Sequence, residues 1–429
     1  MKKKSSSAVL ILIALILGVA VGYACHIAFP DKQTATTISG YITIVADVFL
    51  RLIKMIIAPL VFTTLVVGIA HMGDLKTVGR VGAKAMGWFF TASFISLGLG
   101  MLLVNLLQPG ANIGMPLPDV DAATTLKTSA FTVKGFISHL VPTSVVHAMA
   151  ENEILQVVVF SIFFGVALAA LGDYGKSLIT TIDQVAHVML KITTGIMFLA
   201  PLAVFAAVAG IVTTQGLGIL ATFAKFVGGF YLSLFILWGV IILAGFIFLG
   251  PRILKLLGLV REPFLISFST ASSEAAFPKM LESLDKFGVS RKISSFVLPL
   301  GYSFNLDGSM MYCTFASLFI AQAYNIELSL GTQIAMLLML MLTSKGVAGV
   351  PRASLVVIAA TLNQFNIPEA GLLLIMGIDT FLDMGRSATN AVGNSVASAV
   401  VAKWEGQLGE EPIQDDADSP QGAMPEAAA

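Results

Sequence analysis

Asp379-Thr380-Phe381-Leu382-Asp383-Met384-Gly385-Arg386-Ser387-Ala388-Thr389-Asn390-Ala391-Val392-Gly393-Asn394 is the stretch that decides how this chain folds. Its polar members Asp379, Asp383, Arg386, Ser387, Asn390 and Asn394 stand at i, i+4, i+7, i+8, i+11 and i+15, which on a helix is one stripe. The segment lies in the last apolar run of the chain, where an Asp or Arg at the bilayer centre costs roughly 2.5 to 3.5 kcal/mol. The stripe must therefore face protein or water and not lipid. An Asp383–Arg386 salt bridge locking two helices would account for only two of the six residues. The pattern predicts an all-α membrane protein with a polar interior surface.

Composition agrees. Of 429 residues 12% are charged and 56% hydrophobic, with a mean hydropathy of +0.89, whereas soluble domains are about a quarter charged. Lys plus Arg equals Asp plus Glu at 25 each, so there is no basic excess for phosphate neutralisation, and nucleic acid is excluded as a main partner. Cys25 and Cys313 lie in apolar runs, and His26, His71, His139, His147 and His187 lack ligand spacing. No metal cluster, cofactor or enzyme nucleophile with an oriented base is expected. Lys2, Lys3 and Lys4 ahead of Ala8–Ala24 have the form of a secretory signal, but the run continues to Ala28 and equally apolar segments follow. It is expected to be a first membrane helix.

Hydropathy windows of about 19 residues place spans near 8–29, 38–70, 83–107, 152–172, 178–213 and 219–250, with Pro59 and Pro201 as kink points. After residue 250 the apolar runs are interrupted by Ser, Gly, Pro and charges. Irregular backbone survives at membrane depth only where protein or water satisfies it, so a pathway belongs there. The loops with Lys76, Arg80 and Lys84, with Lys176, with Arg252, Lys255 and Arg261, and with Lys279, Lys286, Arg291 and Lys292 all fall inside if the amino terminus does. This requires Phe264–Met280 to enter and leave from the cytoplasm and Thr332–Phe365 from outside, leaving eight crossings and both termini cytoplasmic. The loop Gln108–Lys134 is then extracytoplasmic, and the acidic tail after Trp404 disordered.

Gly301-Tyr302-Ser303-Phe304-Asn305-Leu306-Asp307-Gly308-Ser309 breaks helix propensity in mid-membrane. Unwound carbonyls beside the Asp307 carboxylate are what a dehydrating alkali cation uses; a Gly-rich packing patch is the other explanation. Ser269–Glu274 and Ser344–Pro351 form the two hairpin tips, where half-helix N-termini can hold a carboxylate. Their repetition on opposite sides suggests an inverted repeat, a pointer to a transporter site.

Taken together, Leu52–Pro59, the serine-rich first hairpin, Asn305–Ser309, Gly346–Pro351 and Asp379–Asn394 resemble, in order and spacing, the dicarboxylate/amino acid:cation symporters, the glutamate transporter family. The resemblance runs from about Ala8 to Lys403, and within the family the chain is most similar to bacterial proton/glutamate-aspartate symporters. It implies the glutamate-transporter fold: eight transmembrane helices plus two re-entrant helical hairpins in inverted repeats. It also implies a homotrimer in membrane lipid, here of a bacterial inner membrane. The corresponding divisions are a cytoplasmic N-terminus 1–7, scaffold helices 1–2 in 8–82, helix 3 of the moving unit in 83–107, an extracytoplasmic loop 108–137, scaffold helices 4–5 in 138–216, and a transport domain 217–404. That domain holds helix 6, hairpin 1 (260–287), helix 7 (291–325), hairpin 2 (330–366) and helix 8 (369–404), with a disordered tail 405–429.

The resemblance further implies that Arg386 holds a substrate carboxylate, Asp383 an ammonium, and Asn390 and Ser387 the remaining polar atoms, with Ser272 and Ser273 from the first hairpin and Gly349 and Val350 from the second, the external gate. A planar guanidinium suits a carboxylate, and a carboxylate an ammonium. The expected function is elevator-type import of glutamate or aspartate; the alternative is a C4-dicarboxylate such as succinate, fumarate or malate, and a remote one an anion channel. Cation coupling is expected at Asp307, Asn305, Asn394, Thr91, Glu274 and Ser344, with sodium at Asp307, Asn305 and Asn394. Sodium-driven members have aspartate at the position of Asn394 and serine at that of Ala92, so protons are favoured, with Glu274, Asp307 and Asp383 as carriers.

Overall fold

In hydrocarbon a backbone must satisfy its own hydrogen bonds, which leaves helices as the form these apolar runs can take. The computed structural model describes residues 7–72, 75–111, 117–118, 141–217, 223–344 and 353–409. Among them every regular element is helical, apart from one isolated antiparallel bridge between Val289 and Leu408. Helices α1 (Ser7–Ala28), α2 (Lys32–Met72), α3 (Leu75–Leu107), the short α4 (Val145–Ala150), α5 (Ile154–Ala170), α6 (Lys176–Met197), α7 (Ala200–Gln215) and α8 (Ala224–Leu249) occupy the first part. Among the described residues four segments, Val9–Ala28, Lys32–Ala70, Lys76–Leu107 and Ala224–Leu249, are long and apolar enough to cross a membrane; α6 and α7 are so only when taken together, as a pair bent by 54°. The chain is thus an all-helical, multi-pass membrane protein.

The expected kink at Pro201 is seen, because this proline opens α7 just beyond the break. Pro59 differs: α2 is continuous through it. Helices α2 and α3 start earlier than hydropathy suggests, at Lys32 and Leu75, since their polar first turns are helical without being apolar. The division at 82/83 therefore falls inside α3.

The second part contains α9 (Arg252–Thr270), α10 (Phe277–Phe287), α11 (Arg291–Phe304), α12 (Asp307–Ala323), α13 (Leu330–Thr343), α14 (Ala353–Gln364), the short α15 (Leu372–Met376) and α16 (Asp379–Trp404). Helices α9 and α10 pack together around a tip at 271–276, where Ala271 takes a left-handed conformation (φ 50°). The first arm begins at Arg252 and not near 260: Arg252, Lys255 and Arg261 lie on a helix whose apolar face is buried through Ile253, Leu256 and Val260. The break between α11 and α12 falls at Asn305-Leu306, as the sequence predicts. The second tip, 345–352, lies outside the described residues.

Two packing groups result. Helix α1 lies on α7 so closely that a Cβ at Gly22 would stand 2.6 Å from the Ala209 carbonyl oxygen, and α2 packs on α5, α6 and α7. Helix α16 is enclosed by α8, α9, α11 and α12, and α3 lies along α12. The groups meet where α2 crosses α11, with the Gly68 Cβ position 2.7 Å from Ser295 Oγ, and where α9 packs against α1 and α7.

The tail expected to be disordered from 405 is packed through 409. Ser290 N–H donates to Gln407 O (3.0 Å) and Gly409 N–H to Gly288 O (2.8 Å), and the Glu405 side chain, 4% exposed, pairs with Arg80 and Lys84. Acidic composition concealed a segment whose first carboxylate has two basic partners on another helix. Residues 410–429 lie outside the described residues.

Candidate substrate and cation site

The stripe on α16 is buried along its length: Asp379, Arg386, Ser387, Asn390 and Asn394 are each no more than 5% exposed, and Asp383 is partly open. It divides into two clusters with Asn390 between them.

In the first cluster, Arg386 Nε donates to Asp383 Oδ1 (2.7 Å), and Ser387 Oγ donates to the same oxygen (3.0 Å). The guanidinium lies 4.8 Å from the centroid of the Tyr312 ring, and its Nη1 is 3.8 Å from Asp379 Oδ1, which accepts the Tyr312 hydroxyl at 2.9 Å. The Asp383–Arg386 pair lies within one helix, so it locks a side chain and not two helices. Nη1 is buried and has no hydrogen-bond partner. A buried cation with an unmade hydrogen bond is poised for an anionic acceptor, because an unsatisfied charged donor is worth more to a ligand than one already paired.

Asn390, expected among the substrate contacts, has partners on α12 in the structure. Its Oδ1 accepts from Gly308 N (2.9 Å) and Ser309 N (3.4 Å), and its Nδ2 donates to Ser309 Oγ (3.1 Å). It therefore satisfies the first-turn amides of α12, which the helix itself cannot. By that contact it ties α12 to the stripe and sets where Ser309 stands.

In the second cluster, Asn305 Nδ2 donates to Asn394 Oδ1 (3.0 Å), beside Asp307. Two glycines make the space: a Cβ at Gly393 would collide with Asp307 Oδ2, and one at Gly301 with Asn394 Oδ1. Asn305 is fully buried, and its Oδ1 has no hydrogen-bond partner. A buried, unsatisfied amide oxygen beside a carboxylate is an oxygen set of the kind that replaces the water of a hard cation. Thr91 Oγ1 donates to Gly87 O (2.8 Å) within α3 and lines a cavity of about 510 Å³ that also reaches Asp307. Its walls are apolar, formed by Trp88, Ile241, Phe248 and Trp404 among others.

At the first tip, Ser272 Oγ accepts from Ala275 N (3.3 Å), and Ser273 O accepts from the Tyr302 hydroxyl (3.1 Å). Glu274 opens a 3-10 turn that packs against α2. Ser344 is buried at the end of α13 and donates to Met341 O (3.3 Å). Gly349 and Val350 lie outside the described residues. The structure thus unites Arg386, Asp383 and Ser387 in one cluster and Asn305, Asp307 and Asn394 in another. Tyr312 and Ser309 are additions: a lone Tyr in an apolar helix carries no sequence signal, whereas Ser309 follows directly on the broken segment.

The site is thus a buried arginine on a broken-helix core, beside the Asn305, Asp307 and Asn394 cluster. Residues 8–404 match the model of the sodium:dicarboxylate symporter family, and the chain belongs to that family of transporters; it is not an enzyme. It is 42% identical over 403 residues to "C4-dicarboxylate transport protein 1" of Mesorhizobium japonicum, covering 93% of this chain and 82% of that one. It is 41% identical to "C4-dicarboxylate transport protein" of Laribacter hongkongensis (93% and 89% covered) and 42% identical to the protein of that name from a Geobacter species (93% and 90%).

Proposed function

We propose that this protein imports C4-dicarboxylates of the succinate, fumarate and malate class by cation-coupled symport. The observation that carries this is the engagement of Asp383. An acidic amino acid would use that carboxylate as an ammonium partner, and with Oδ1 holding Arg386 Nε and Ser387 Oγ only Oδ2 is left for that contact. As a brace for the guanidinium it serves a substrate without an ammonium equally well. The names of the relatives point the same way, so the dicarboxylate replaces the glutamate or aspartate of the first expectation.

In this mechanism Arg386 Nη1 takes one substrate carboxylate, and the hydroxyls of Ser272, Ser273 and Ser309 with nearby tip amides take the other. Gly349 and Val350 close the site from outside. A dianion moving inward against an inside-negative potential costs about 4.6 kcal/mol per 100 mV, twice the single-charge value. At least two cations must enter with it to cancel that term. Protons are proposed on Glu274 and Asp307, or an alkali cation at Asn305, Asp307 and Asn394 in place of the Asp307 proton, with Thr91 and Ser344 close to the ion path. Eight crossings with two re-entrant hairpins, cytoplasmic termini, a trimer in the inner membrane, and a 217–404 unit moving with helix 3 against the scaffold complete the proposal. The two packing groups, which meet at α2 and α11, support that division.

The test is labelled succinate uptake into proteoliposomes under a pH gradient without sodium, then under a sodium gradient without a pH difference, each with excess unlabelled aspartate or fumarate. Fumarate should compete and aspartate should not. Full competition by aspartate with none by fumarate would restore the amino-acid substrate.

A further inference from the structure

The short segment after α16 makes more contacts than a chain end requires. Gly406 turns it at φ 66°, and it runs back along the end of α10 through the Ser290–Gln407 and Gly409–Gly288 hydrogen bonds. Arg252 Nη2 donates to Gly409 O (2.6 Å) and to Phe287 O (3.2 Å). Glu405 lies at the centre. Its Oε2 accepts from Arg80 Nη2 (2.9 Å) and Nε (3.1 Å), and its Oε1 pairs with Lys84 Nζ (2.7 Å), which also donates to Trp404 O (2.9 Å). The carboxylate accepts a fork and an ammonium at once, a charge-assisted arrangement that fixes geometry as well as adding energy. It fastens the first turns of α3 to the last turn of α16.

What α3 carries further along gives this fastening a role. Lys84, Trp88, Thr91 and Ile95 line one side of the 510 Å³ cavity, whose other boundaries include Trp404 and Asp307. On this side of α3 open volume lies between the helix and Asp307, while Ala85, Phe89 and Ser93 on its other side are buried against the core. That buried side fixes the helix from the cavity onward: Ser93 Oγ donates to Phe304 O (3.3 Å), and at Gly100 a Cβ would stand 3.0 Å from Met311 O. At the other end the hold is Glu405.

We propose that Glu405 is a positioning residue for cation coupling: through Arg80 and Lys84 it sets the register of α3, and with it Thr91 and Ala92, against Asp307. Glu405 touches neither substrate nor ion. Its effect is on the shape of the space beside Asp307, and so on the affinity for the coupling cation. This rests on the symport proposed above.

The experiment is succinate uptake by reconstituted full-length protein, titrated twice: with the coupling cation at saturating succinate, and with succinate at saturating cation. Glu405→Gln, which keeps an acceptor but removes the charge, should raise the cation concentration for half-maximal uptake by roughly three- to tenfold, in proportion to the weakening of charge-assisted bonds to neutral ones. The succinate half-saturation should stay within about twofold, since the Arg386 cluster keeps its partners. Glu405→Asp, retaining the charge, should recover most of the cation affinity. An unchanged cation constant, or equal shifts in both constants, overturns the proposal; the second would mark a general loosening of the fold. Should Glu405→Gln fail to insert, Lys84→Gln leaves the Arg80 fork in place and should shift the cation constant alone, by less. Wild-type protein that takes up no succinate under either gradient overturns the symport reading, and this inference with it, whereas wild-type uptake with an unresponsive Glu405→Gln overturns the inference alone.

Discussion

The two polar clusters on α16 bury charge by opposite means. Around Arg386 charge is set against charge: one guanidinium between Asp379 and Asp383, with an aromatic ring beneath it. Around Asp307 a carboxylate is grouped with two neutral amides and two glycines that keep the space open. The first cluster is assembled before any ligand arrives and leaves Arg386 Nη1 without a hydrogen-bond acceptor. The second offers oxygen and room. A guanidinium fork needs a fixed orientation to select a planar carboxylate, whereas a small cation needs several oxygens that can close around it. The two halves of the proposed cargo thus call for different kinds of burial, and the helix supplies both within a few turns.

Breaking the first cluster should have the largest effect. Arg386→Ala leaves two aspartates facing a void, and removing one partner of a buried charge pair typically costs about 3 to 5 kcal/mol. Succinate uptake should fall at least about a hundredfold; binding measured by isothermal titration at undiminished affinity would remove Arg386 from the site. Gly393→Ala attacks the second cluster by placing a methyl group against Asp307 Oδ2. Overpacking of this kind costs about 1 to 3 kcal/mol, and the stabilisation of the purified protein by its coupling cation, read as a thermal shift, should vanish. Retention of that shift would mean that the cation binds elsewhere.

Asp383→Asn sharpens the comparison within the first cluster. If the carboxylate braces Arg386, succinate affinity should fall by roughly tenfold, the value of one charge-assisted hydrogen bond. If it is an ammonium partner, succinate should be untouched and only amino acids affected. The smallest effect concerns pH at the Glu405 contact. The Arg80 hydrogen bonds, helped by Lys84 and opposed by burial, hold the Glu405 carboxyl below its ordinary value. A depressed native value means that the contact's contribution is complete above the usual glutamate pKa of about 4.3 and is lost as pH falls through the lowered one. Trp404, adjacent to Glu405 and edge-on to Trp88 and Phe248, reports it. Its emission should shift red below about pH 4, and an identical titration in Glu405→Gln would assign the change to another group.

Much of this architecture is legible in the residue pattern. The six-residue stripe, the helix break at Asn305-Leu306 and the bend before Pro201 follow from periodicity, propensity and ring geometry. Elsewhere local patterns mislead. Arg252, Lys255 and Arg261 have the composition of a loop, yet they occupy the polar side of an arm whose opposite side is buried. Glu405 opens an acidic tail, and nothing local shows that Arg80 and Lys84, more than three hundred positions earlier, come to meet it. Asp383 is legible as a carboxylate of the polar stripe but not as the brace of its own neighbour, because i, i+3 spacing permits that contact without requiring it. The substrate expectation depended on that one ambiguity.

Helix α2 has a consequence of a different kind. Its 41 residues extend about 60 Å at about 1.5 Å per residue, twice the ~30 Å of hydrocarbon in a bilayer. Even the apolar part, 38–70, is about 50 Å long, and a helix of that length fits a bilayer only on a slope. Whatever slides along an incline gains less height than the distance it travels. A body riding on α2 through α11 would move sideways as well as through the membrane, and the slope of one helix would act as the gear ratio between the two.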